Sequence, residues 1–435
     1  MYRETTKCLI CGNAELVPVL DLGAQALTGR FPRTPFEAVT EGPLELVKCH
    51  SEQDANVCGL VQLRHGYDLD EMYGEHYGYR SGLNASMVRH LNGLVDEVTA
   101  RIELRPGDLV LDIGSNDGTL LSRYPQGQCE PVGIDPTGAK FRRYYPDHVQ
   151  LVPDFFSGAL VRERFTGCRA RVITSISMFY DLPSPLEFVK DVHETLTDDG
   201  LWVFEQSYLP TMLEKTSYDT VCHEHLEYYG LTQIQWMFER TGMRILDVSF
   251  NDANGGSFRV TACRADAPHV GNPELVRNIL TREEESGLGG LDVYYDFARR
   301  VSEHRETLTD FVRSERSRGK KFAGYGASTK GNVVLQYCRF TSDDLCCIAE
   351  VNEDKFGSVT PATHIPIVSE PEARLLNPDY FLVLPWHFRE SIVQREQAML
   401  QDGKTLLFPL PALELVDRLG VHSIGVPQQQ FRKTA

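Results

Sequence analysis

The sequence has little that would place it in a membrane or on a nucleic acid. None of its apolar runs approaches the roughly 18 residues of a membrane span. The first twelve residues, MYRETTKCLICG, place no apolar stretch behind their few charges, so we expect no signal peptide. Basic residues are scarce: 44 Lys and Arg stand against 61 Asp and Glu, which gives a formal net charge of −17. Because a chain this acidic is poorly suited to contact many phosphates, neither a nucleic acid nor a membrane is an expected partner.

Cysteine is too sparse for a disulfide scaffold. The chain contains eleven cysteines in 435 residues, an odd number, and two of them are adjacent at positions 346 and 347. That usage is typical of a reducing compartment, and we expect a cytoplasmic protein. The length exceeds what one hydrophobic core usually supports, so two or three domains are expected. The sequence leaves open whether the protein is a monomer or a homodimer.

Buried-type strands alternate with amphipathic helices over most of the chain, which is typical of an α/β fold with a doubly wound, largely parallel sheet. In the first series, strands are predicted at 109–113, 131–134, 172–177 and 201–206, and helices at 85–102, 119–124, 140–145 and 182–196. A helix at 231–242 and paired strands at 244–250 and 256–263 close that series. After a helical stretch at 272–318, a second series runs from 321 to 408.

These patterns divide the chain into four parts. Residues 1–72 form a cysteine-rich front domain, and residues 73–268 form the first α/β domain, called the middle domain. Residues 269–425, called the rear domain, comprise a helical linker and a second, Rossmann-like α/β domain, and 426–435 form a loose tail. The front domain is poor in large apolar residues, so it needs a stabilising element other than a hydrophobic core.

Four cysteines of the front domain predict a structural zinc site. Cys8 and Cys11 form a Cys-x-x-Cys pair followed by a glycine, and Cys49 and Cys58 come further along the chain. Four thiolates give the closed tetrahedron of structural zinc. The eight residues between Cys49 and Cys58 exceed the usual two, so this segment must loop out, and His50 is an alternative ligand. Two ordinary buried thiols beside a chance Cys-x-x-Cys are the other interpretation.

A cofactor turn is predicted at LVLDIGSNDG, residues 109–118. A buried strand ends in Asp112, and the chain then turns through Gly114 and Gly118, where glycines permit a close approach of backbone to ligand. Asp135 ends the next strand, where a carboxylate can hold ribose hydroxyls. The spacing is not that of a dinucleotide site, and the turn with its strand-end acid resembles the class I S-adenosylmethionine methyltransferases.

Further residues near the same sheet edge complete the predicted cofactor site. Asp154, in PDFF, follows a third strand, where it can face an adenine amino group. The remaining predicted contacts are Asn116 in the turn, Phe155 beside Asp154, and Ser177 at the end of the fourth strand. A nucleoside-binding Rossmann-like sheet of another kind is the alternative interpretation.

The rear domain contains a second glycine-rich turn, at GYGASTKG, residues 324–331. Free amides at the start of the following helix, two hydroxyls and a lysine predict a phosphate site in an otherwise acidic protein. The substrate contacts predicted in this turn and its helix are Tyr325, Ser328, Lys330 and Asn332. Two histidines in loops at the same edge, His364 and His387, are also predicted contacts. The alternative interpretation is that the rear domain has only a structural role and that its turn binds no ligand.

The order of the motifs resembles that of the sugar C-methyltransferases of bacterial deoxysugar biosynthesis. The motifs are YGYRSG at 77–82, CHEHLEYY at 222–229, the rear turn, and the front cysteines ending in CGLVQL. The resemblance covers the chain from Cys8 to about Pro409. It implies methyl transfer from S-adenosylmethionine to a carbon of a nucleotide-linked keto-hexose. It also implies a zinc domain, a methyltransferase domain, and a rear domain that helps to anchor the nucleotide sugar.

The resemblance assigns roles to individual residues. The catalytic histidine of the family lies in a Glu-His pair, which matches Glu224 and His225. The family tyrosine that precedes a Ser-Gly pair, at the cofactor and the sugar, matches Tyr79. Ser81 and Gly82 accompany it as predicted cofactor contacts.

Two residues depart from the family pattern. Cys222 stands where the antibiotic-pathway enzymes have a tyrosine, and Asp181 stands where they have a histidine. We expect both in the substrate pocket, together with Tyr228 and Asn254. The replacements leave the general base in place, but they leave open which sugar is bound and which carbon is methylated.

The residues themselves support the same chemistry. A carbon beside a ketone becomes nucleophilic when a base removes its proton and a donor steadies the enolate oxygen. His225 is a suitable base, with an unperturbed pKa of roughly 6.5, and Tyr79, Tyr228 and His223 are suitable donors. Three alternatives remain: an O- or N-methyltransferase with the same cofactor, an NAD-linked oxidoreductase, and a non-enzymatic zinc-ribbon module.

Overall fold

The computed structural model describes residues 2–54, 56–68, 71–72 and 79–425. Within these ranges, one four-stranded and two seven-stranded sheets carry most of the architecture, with a small two-stranded ribbon beside them.

Two parts of the sequence analysis fall outside the described residues. They are the tail predicted at 426–435, and Tyr77 and Gly78 of the YGYRSG motif. No helix in the described part of the chain combines the length and the apolar character that crossing a bilayer requires.

The front domain is built from short strands. They are β1 (Arg3–Glu4), β2 (Leu16–Ala26), β3 (Glu41–Cys49), β4 (Val61–Leu63) and β5 (His65–Gly66). β2, β3 and β4 are antiparallel neighbours, while β1 and β5 form the separate ribbon. Pro18 and Gly23 interrupt the alternation of polar and apolar residues along β2, so its sequence does not indicate a strand.

The middle domain contains the first seven-stranded sheet. Its strands are β6 (Leu109–Ile113), β7 (Glu130–Ile134), β8 (Gln150–Val152), β9 (Ala170–Ile176), β10 (Leu196–Ser207), β12 (Met243–Asn251) and β13 (Ser257–Arg264). The order is β12-β13-β10-β9-β6-β7-β8, in which β13 runs antiparallel to both of its neighbours and the other six strands run in one direction. Parallel strands buried on both faces give continuous apolar runs, which is why the sequence indicated them.

One short strand leaves the middle domain and joins the front sheet. β11 (Glu227–Tyr228) pairs antiparallel with β4, so that Glu227 aligns with Gln62 and Tyr228 with Val61. The amide of Leu63 also donates to the carbonyl oxygen of Leu226 at 2.8 Å. The front sheet therefore has the order β2-β3-β4-β11.

Helices pack on both faces of the middle sheet. They are α1 (Ala85–Arg101), α2 (Gly138–Phe141), α3 (Gly158–Arg164), α4 (Pro185–Thr195), α5 (Leu209–Glu214) and α6 (Leu231–Thr241). Leu111 of β6 packs with residues of α4 and α6, whereas its neighbour Val110 packs with the apolar face of α1. That alternation is the period of a strand buried between two layers.

One predicted helix is wrong. Residues 119–124, expected to form a helix after the cofactor turn, contain only the 3₁₀ turn Leu121–Arg123. Tyr124 is extended, with ψ of 125°, because Pro125 follows it and disfavours a helical residue before proline. The chain therefore reaches β7 without a full crossover helix.

The rear domain begins with two helices and ends in the second seven-stranded sheet. The helices are α7 (Pro273–Glu285), α8 (Asp292–Ser317), α9 (Thr329–Tyr337), α10 (Glu370–Leu375), α11 (Arg389–Arg395) and α12 (Gln397–Gln401). The strands are β14 (Phe322–Tyr325), β15 (Ile348–Glu350), β16 (Ile367–Ser369), β17 (Tyr380–Val383), β18 (Thr405–Phe408), β19 (Glu414–Asp417) and β20 (Gly420–Ser423). Their order is β16-β15-β14-β17-β18-β19-β20, and the last two are antiparallel.

Helix α8 lies between the front sheet and the rear sheet. Its buried stripe of Phe297, Val301, Leu308 and Val312 has the predicted helical spacing. These side chains pack in one apolar cluster with residues of β2, β3 and the rear sheet. The front domain thus shares a hydrophobic core with the rear domain.

One buried carboxylate fixes the start of α6. Glu283, in α7, accepts hydrogen bonds from the amides of Leu231 (2.6 Å) and Thr232 (2.9 Å) and from the hydroxyl of Tyr208 (2.7 Å). A negative charge at the first amides of a helix is favourable because it satisfies free donors and opposes the helix dipole. Gly230 is required beside it, since a Cβ there would lie 2.9 Å from Glu283 Oε2. Glu283 therefore holds the chain just after β11.

We expect Glu283→Ala to lower the free energy of unfolding by about 3 kcal/mol, because it leaves several buried donors without their charged acceptor. Urea denaturation followed by tryptophan fluorescence measures the change. The matched control is Glu284→Ala, an exposed neighbour on the same helix, for which we expect a change within about 0.5 kcal/mol. Equal effects of the two substitutions would contradict this role for Glu283.

Candidate active site

The predicted cofactor turn lies at the carboxyl end of β6. Gly114 and Gly118 both have φ of +74°, a conformation that favours glycine. A Cβ at Gly114 would lie 2.9 Å from Met178 Cγ, and a Cβ at Gly118 would lie 2.9 Å from Tyr145. Both glycines therefore belong to a tightly packed bend in which any side chain would displace a neighbour.

Two buried carboxyl groups flank the bend. Asp112 accepts a hydrogen bond from Thr174 Oγ1 at 2.6 Å, and burial raises its pKa to about 7. Asp135 accepts from the amide of Asn116 at 2.7 Å and from the amide and hydroxyl of Thr137, each at 2.6 Å. Burial raises the pKa of Asp135, and these donors offset part of that rise. Because Oδ2, among the described residues, accepts only from Asn116, it has a further lone pair, and Asp135 can still accept a ribose hydroxyl.

Residues 79–82 lie over the bend. The side-chain oxygen of Asn116 accepts from the amide of Ser81 at 3.0 Å, and its nitrogen donates to the carbonyl oxygen of Tyr79 at 3.1 Å. Asp117 accepts from the amide of Gly82 at 3.0 Å. The structure thus brings the predicted contacts of this motif onto the cofactor turn, with the Tyr79 side chain half exposed.

The other predicted cofactor contacts lie at the same edge of the middle sheet. Asp154 and Phe155 follow β8 and are exposed, and Asp154 Oδ1 accepts from the amide of Phe155 at 2.8 Å. Ser177 follows β9 with φ of +54°, and its amide donates to the carbonyl oxygen of Glu205 at 2.7 Å. Its hydroxyl accepts from Asn254 Nδ2 at 3.2 Å. Since the carboxyl ends of parallel strands meet at one edge, these residues and the bend share a face.

His225 is held in one tautomer. Its Nδ1 lies 2.8 Å from the carbonyl oxygen of Thr220. Because a carbonyl only accepts, Nδ1 carries the proton, and Nε2 of the neutral ring is left unprotonated. The ring of Tyr180 packs 4.2 Å away between centroids. Burial and the ammonium group of Lys330 lower the pKa of His225 to about 3, so the ring is neutral at pH 7.

Glu224 marks the point where the front, middle and rear domains meet. A Cβ at Gly29 of the front domain would overlap Glu224 Oε1 and would lie 3.7 Å from Thr329 Oγ1 at the start of α9. Burial raises the pKa of Glu224, and the Thr28 hydroxyl and the Gly29 amide offset part of that rise. The absence of a side chain at position 29 is what permits this close approach.

Lys330 crosses from the rear domain to the middle domain. Its Nζ donates to the carbonyl oxygen of Asn254 at 2.8 Å. Burial lowers the pKa of Lys330, while the carboxylate of Asp219 and the thiol of Cys222 act in the opposite direction. Asp219 in turn accepts from Trp386 Nε1 at 2.7 Å. The sequence analysis placed Lys330 in a phosphate site of the rear turn, and the structure places it where two domains join.

His223 and Tyr228 of CHEHLEYY make contacts that differ from each other. His223 is fully buried and packs edge-on against Tyr67 of the front domain, with ring centroids 4.6 Å apart. It does not line the small cavity that His225 lines. The hydroxyl of Tyr228 donates to the carbonyl oxygen of Thr220 at 3.4 Å.

The two residues that depart from the family pattern influence each other. Burial raises the pKa of the Cys222 thiol far above its usual value, and the carboxyl groups of Glu224 and Asp181 raise it further. Cys222 is therefore a neutral thiol at pH 7 and is unsuited to act as a nucleophile. Asp181 ends a 3₁₀ turn, Phe179–Asp181, that follows β9.

Three of the predicted rear-domain contacts do not reach His225. The hydroxyl of Tyr325 donates to Glu396 Oε1 at 2.8 Å inside the rear domain. Ser328 caps α9, and its hydroxyl accepts from the amide of Gly331 at 3.0 Å. His364 is exposed in a turn, with φ of +53°.

Two other rear residues lie nearer to the junction. Asn332 Nδ2 donates to the carbonyl oxygen of Thr28 at 2.7 Å, so it ties α9 to the front domain. Burial and the charge of Lys330 lower the pKa of His387 to about 3. Lys330 thus acts electrostatically on both His387 and His225.

The four predicted thiols come together. Their sulfur atoms all lie within 4.8 Å of one another, and they belong to Cys8, Cys11, Cys49 and Cys58. The shortest separations are 3.4 Å and 3.5 Å, close to the roughly 3.8 Å that tetrahedral Zn–S bonds of about 2.3 Å require. Each pair is followed by a glycine of positive φ, Gly12 (+76°) and Gly59 (+71°). Within the described residues this group needs no fifth member, so His50 is not required as a ligand.

Three family models match the chain in order. A model of a zinc binding domain matches residues 8–73, "Methyltransferase domain" matches 87–248, and "C-methyltransferase C-terminal domain" matches 252–411. The C-methyltransferase NovU of Streptomyces niveus is 32% identical over 414 residues, covering 94% of this chain and 97% of that protein. The chain belongs to the C-methyltransferase family. Both the resemblance and the fold class expected from the sequence are thereby confirmed.

Solved methyltransferases are similar over less than half of this C-methyltransferase. The CurJ carbon methyltransferase matches 42% of this chain and 57% of its own, at 16% identity and a TM-score of 0.33. An S-adenosylmethionine-dependent methyltransferase from Clostridium acetobutylicum matches 42% of this chain and 92% of its own, at 12% identity and a TM-score of 0.31. TM-scores this low support no argument about the site.

The residues of this C-methyltransferase fit its cofactor and its metal. The enzyme uses S-adenosylmethionine, and the glycine bend with Asp135 has the donor and acceptor groups that a nucleoside needs. The front domain carries structural zinc on four thiols, with no open position for catalysis. Its substrate is a small molecule.

Sequence reasoning missed three residues that shape the site. The backbone carbonyl oxygen of Thr220 accepts a hydrogen bond from His225, and the carboxylate of Glu283 binds the first amides of α6. Neither role corresponds to a recognisable sequence motif. Glu227 lies inside CHEHLEYY, but nothing in the motif shows that its carboxyl group is buried. Only the alternation of side chains along β11 could have suggested that Glu227 and His225 face the same way.

We expect Cys49→Ser to lower the zinc content of the purified enzyme from about one ion per chain and to lower its melting temperature, because metal binding here contributes folding free energy. Inductively coupled plasma mass spectrometry and thermal denaturation measure the two quantities. Cys168→Ser, at an exposed thiol, is the matched control and should change neither. If the purified wild-type protein contains no zinc, the predicted metal site is wrong.

We expect Gly114→Ala to weaken S-adenosylhomocysteine binding about tenfold, since the new methyl group meets Met178 and strains the bend. Isothermal titration calorimetry measures the affinity. The control is Gly127→Ala, which has the same positive φ (+80°) but no atom within 4 Å of the new methyl group. If the two variants bind equally well, the bend is not the nucleoside site.

Proposed function

We propose that this enzyme transfers a methyl group to a carbon next to the ketone of a nucleotide-linked keto-deoxyhexose, through an enolate that His225 generates. The observation that carries the proposal is the hydrogen bond between His225 Nδ1 and the Thr220 carbonyl oxygen. It selects the tautomer in which Nε2 is a free base in a buried site. When bound, S-adenosylmethionine supplies an electrophilic methyl group, which requires a carbon nucleophile held in line with it.

The surroundings of His225 keep its ring neutral. With a pKa of about 3, the ring has little tendency to hold a proton in the resting site. Negative charge that develops on the substrate favours the imidazolium form, and it raises the proton affinity of the ring as the carbon proton leaves. Deprotonation is therefore supported by the charge that it creates.

Tyr79 is the best placed of the three predicted donors to the enolate oxygen. The hydroxyl of Tyr228 is directed to the Thr220 carbonyl oxygen, and His223 is packed against Tyr67. Tyr79 lies in the motif over the cofactor turn, and its side chain remains accessible. A phenol hydrogen bond to the developing oxyanion would stabilise it more than the ketone.

The start of α9 supports a nucleotide-linked acceptor. Thr329 is the first residue of this helix, and it lies beside Gly29 and Glu224 at the junction of the domains. Helix N-termini favour phosphate groups, and the ammonium group of Lys330 adds a positive charge at the same place. A diphosphate held there would keep its sugar near His225.

We expect His225→Ala to lower kcat by about 10²–10⁴-fold, the usual contribution of a general base, while S-adenosylhomocysteine binding is retained. The assay incubates the enzyme with labelled S-adenosylmethionine and a panel of thymidine-, guanosine- and cytidine-diphosphate 4-keto-hexoses. His422→Ala, which changes an exposed histidine in β20, is the matched control. NMR of the product locates the methyl group.

Two outcomes would contradict this function. Full activity of His225→Ala would show that another group removes the proton or that none is removed. A methyl group on a sugar oxygen would establish O-methylation instead, with the same cofactor and fold.

A further inference from the structure

A small cavity lies beside His225. Its lining includes the polar residues His225, Ser207, Thr220, Glu227 and Tyr228 and the apolar residues Leu209 and Met212, and its volume is about 10 Å³. A space of that size can hold one water molecule, for which the polar groups of the lining are hydrogen-bond partners.

Glu227 is a buried carboxyl group that the proposed methyl transfer does not use. It is 1% exposed, and neither of its oxygens makes a hydrogen bond of ordinary geometry with the residues that the structure describes. A buried polar group without a partner costs about 1–3 kcal/mol, and more when it is charged. A proton on the carboxyl group and a water in the cavity together would remove that cost.

The 3₁₀ turn that ends at Asp181 contacts β11, which brings the Asp181 carboxyl group near Glu227. Burial raises the pKa of Glu227 far above its usual value, the Asp181 carboxylate raises it further, and the Leu182 amide offsets only a part. The phenol of Tyr228 lines the same cavity and is neutral at pH 7, because burial raises its pKa. Two carboxyl groups in such surroundings oppose each other's ionisation, which favours one shared proton on the pair.

Each turnover of a C-methyltransferase must dispose of a proton. Replacement of a carbon-bound hydrogen by the methyl group of a sulfonium gives the methylated product, a neutral thioether and one proton. If His225 is the base, that proton stays on its Nε2, and the ring cannot act again until it leaves. The Thr220 carbonyl oxygen already occupies Nδ1, so the proton must depart from Nε2.

We propose that the pair formed by Glu227 and Asp181 accepts this proton from His225 through the water of the cavity. The proposal rests on His225 being the base. His225 Nε2–H gives its proton to the water, the water gives another of its protons to the carboxylate of the pair, and the ring returns to its neutral tautomer. No bond to carbon changes in this step, and no electrons are transferred. The pair then releases the proton to solvent when the product leaves.

The first test measures whether the pair holds a proton in the resting enzyme. Infrared difference spectra of the wild-type enzyme against Glu227→Gln, without substrate, should show the loss of one neutral carboxylic acid band between about pH 6 and 8. Glu239→Gln, the same change at an exposed position of α6, should leave that band in place. No lost band in Glu227→Gln would overturn the proposal.

The second test separates chemistry from proton release. In rapid-quench assays with whichever panel acceptor is methylated, Glu227→Gln should make its first product at the wild-type rate, and later turnovers should slow about tenfold or more. Glu227→Asp, which keeps a carboxyl group, should restore most of the steady-state rate and excludes a folding defect as the cause. An equal loss in both phases, or in neither, overturns the role of Glu227.

The outcomes distinguish this proposal from the proposed function. If His225→Ala methylates normally or no panel acceptor is methylated, the proposed function fails, and the infrared band still decides whether the pair is protonated. If His225→Ala is inactive while Glu227→Gln turns over at the wild-type rate, only the role of the pair fails.

Discussion

The pairing of β11 with β4 is the constraint on which the rest of the site depends. Two backbone residues at the end of the catalytic segment align with Gln62 and Val61, and the Leu63 amide adds a hydrogen bond to Leu226. Because His225 directly precedes this pairing, the front sheet fixes where the imidazole lies. Cys58 lies in the loop from which β4 departs. A zinc ion on the four thiols would stabilise that loop, and with it the sheet that positions a segment of another domain, without itself taking part in the chemistry.

Charge is concentrated at this place in an unusual way for an acidic protein. Burial pushes several carboxyl groups towards their neutral forms, among them Asp219, Glu224 and Glu227. One lysine, Lys330, enters the same region from the rear domain, and burial together with its charge keeps His225 neutral. Neutral acids can donate hydrogen bonds, and a neutral histidine can accept a proton. The arrangement supplies both kinds of group at pH 7, which enolate chemistry requires.

Sequence periodicity predicted the elements whose burial pattern is regular, such as β6 and α1, and local glycine chemistry predicted the cofactor bend. It failed where tertiary context decides. The helix expected at 119–124 is cut short by Pro125, and β11 is too short to show a period and pairs with a strand some 160 positions earlier. The thiols and the Glu224 segment were visible as motifs, but the Thr220 carbonyl oxygen is backbone and leaves no mark in the sequence. Lys330 was identified by its helix, yet its direction depends on Asn254.

At the junction of Gly29, Glu224 and Thr329, three domains of the chain contribute one atom group each to a single crowded point. A chimera that took its front module from one relative and its remaining domains from another would have to preserve that fit, since even a methyl group at position 29 is too large. Recombination of whole modules is thus a poor route to new acceptors in such enzymes. Point replacements like those at 181 and 222 avoid the obstacle, because each changes a residue within one module. Diversification of this architecture should therefore proceed by single residues, with the three modules inherited together.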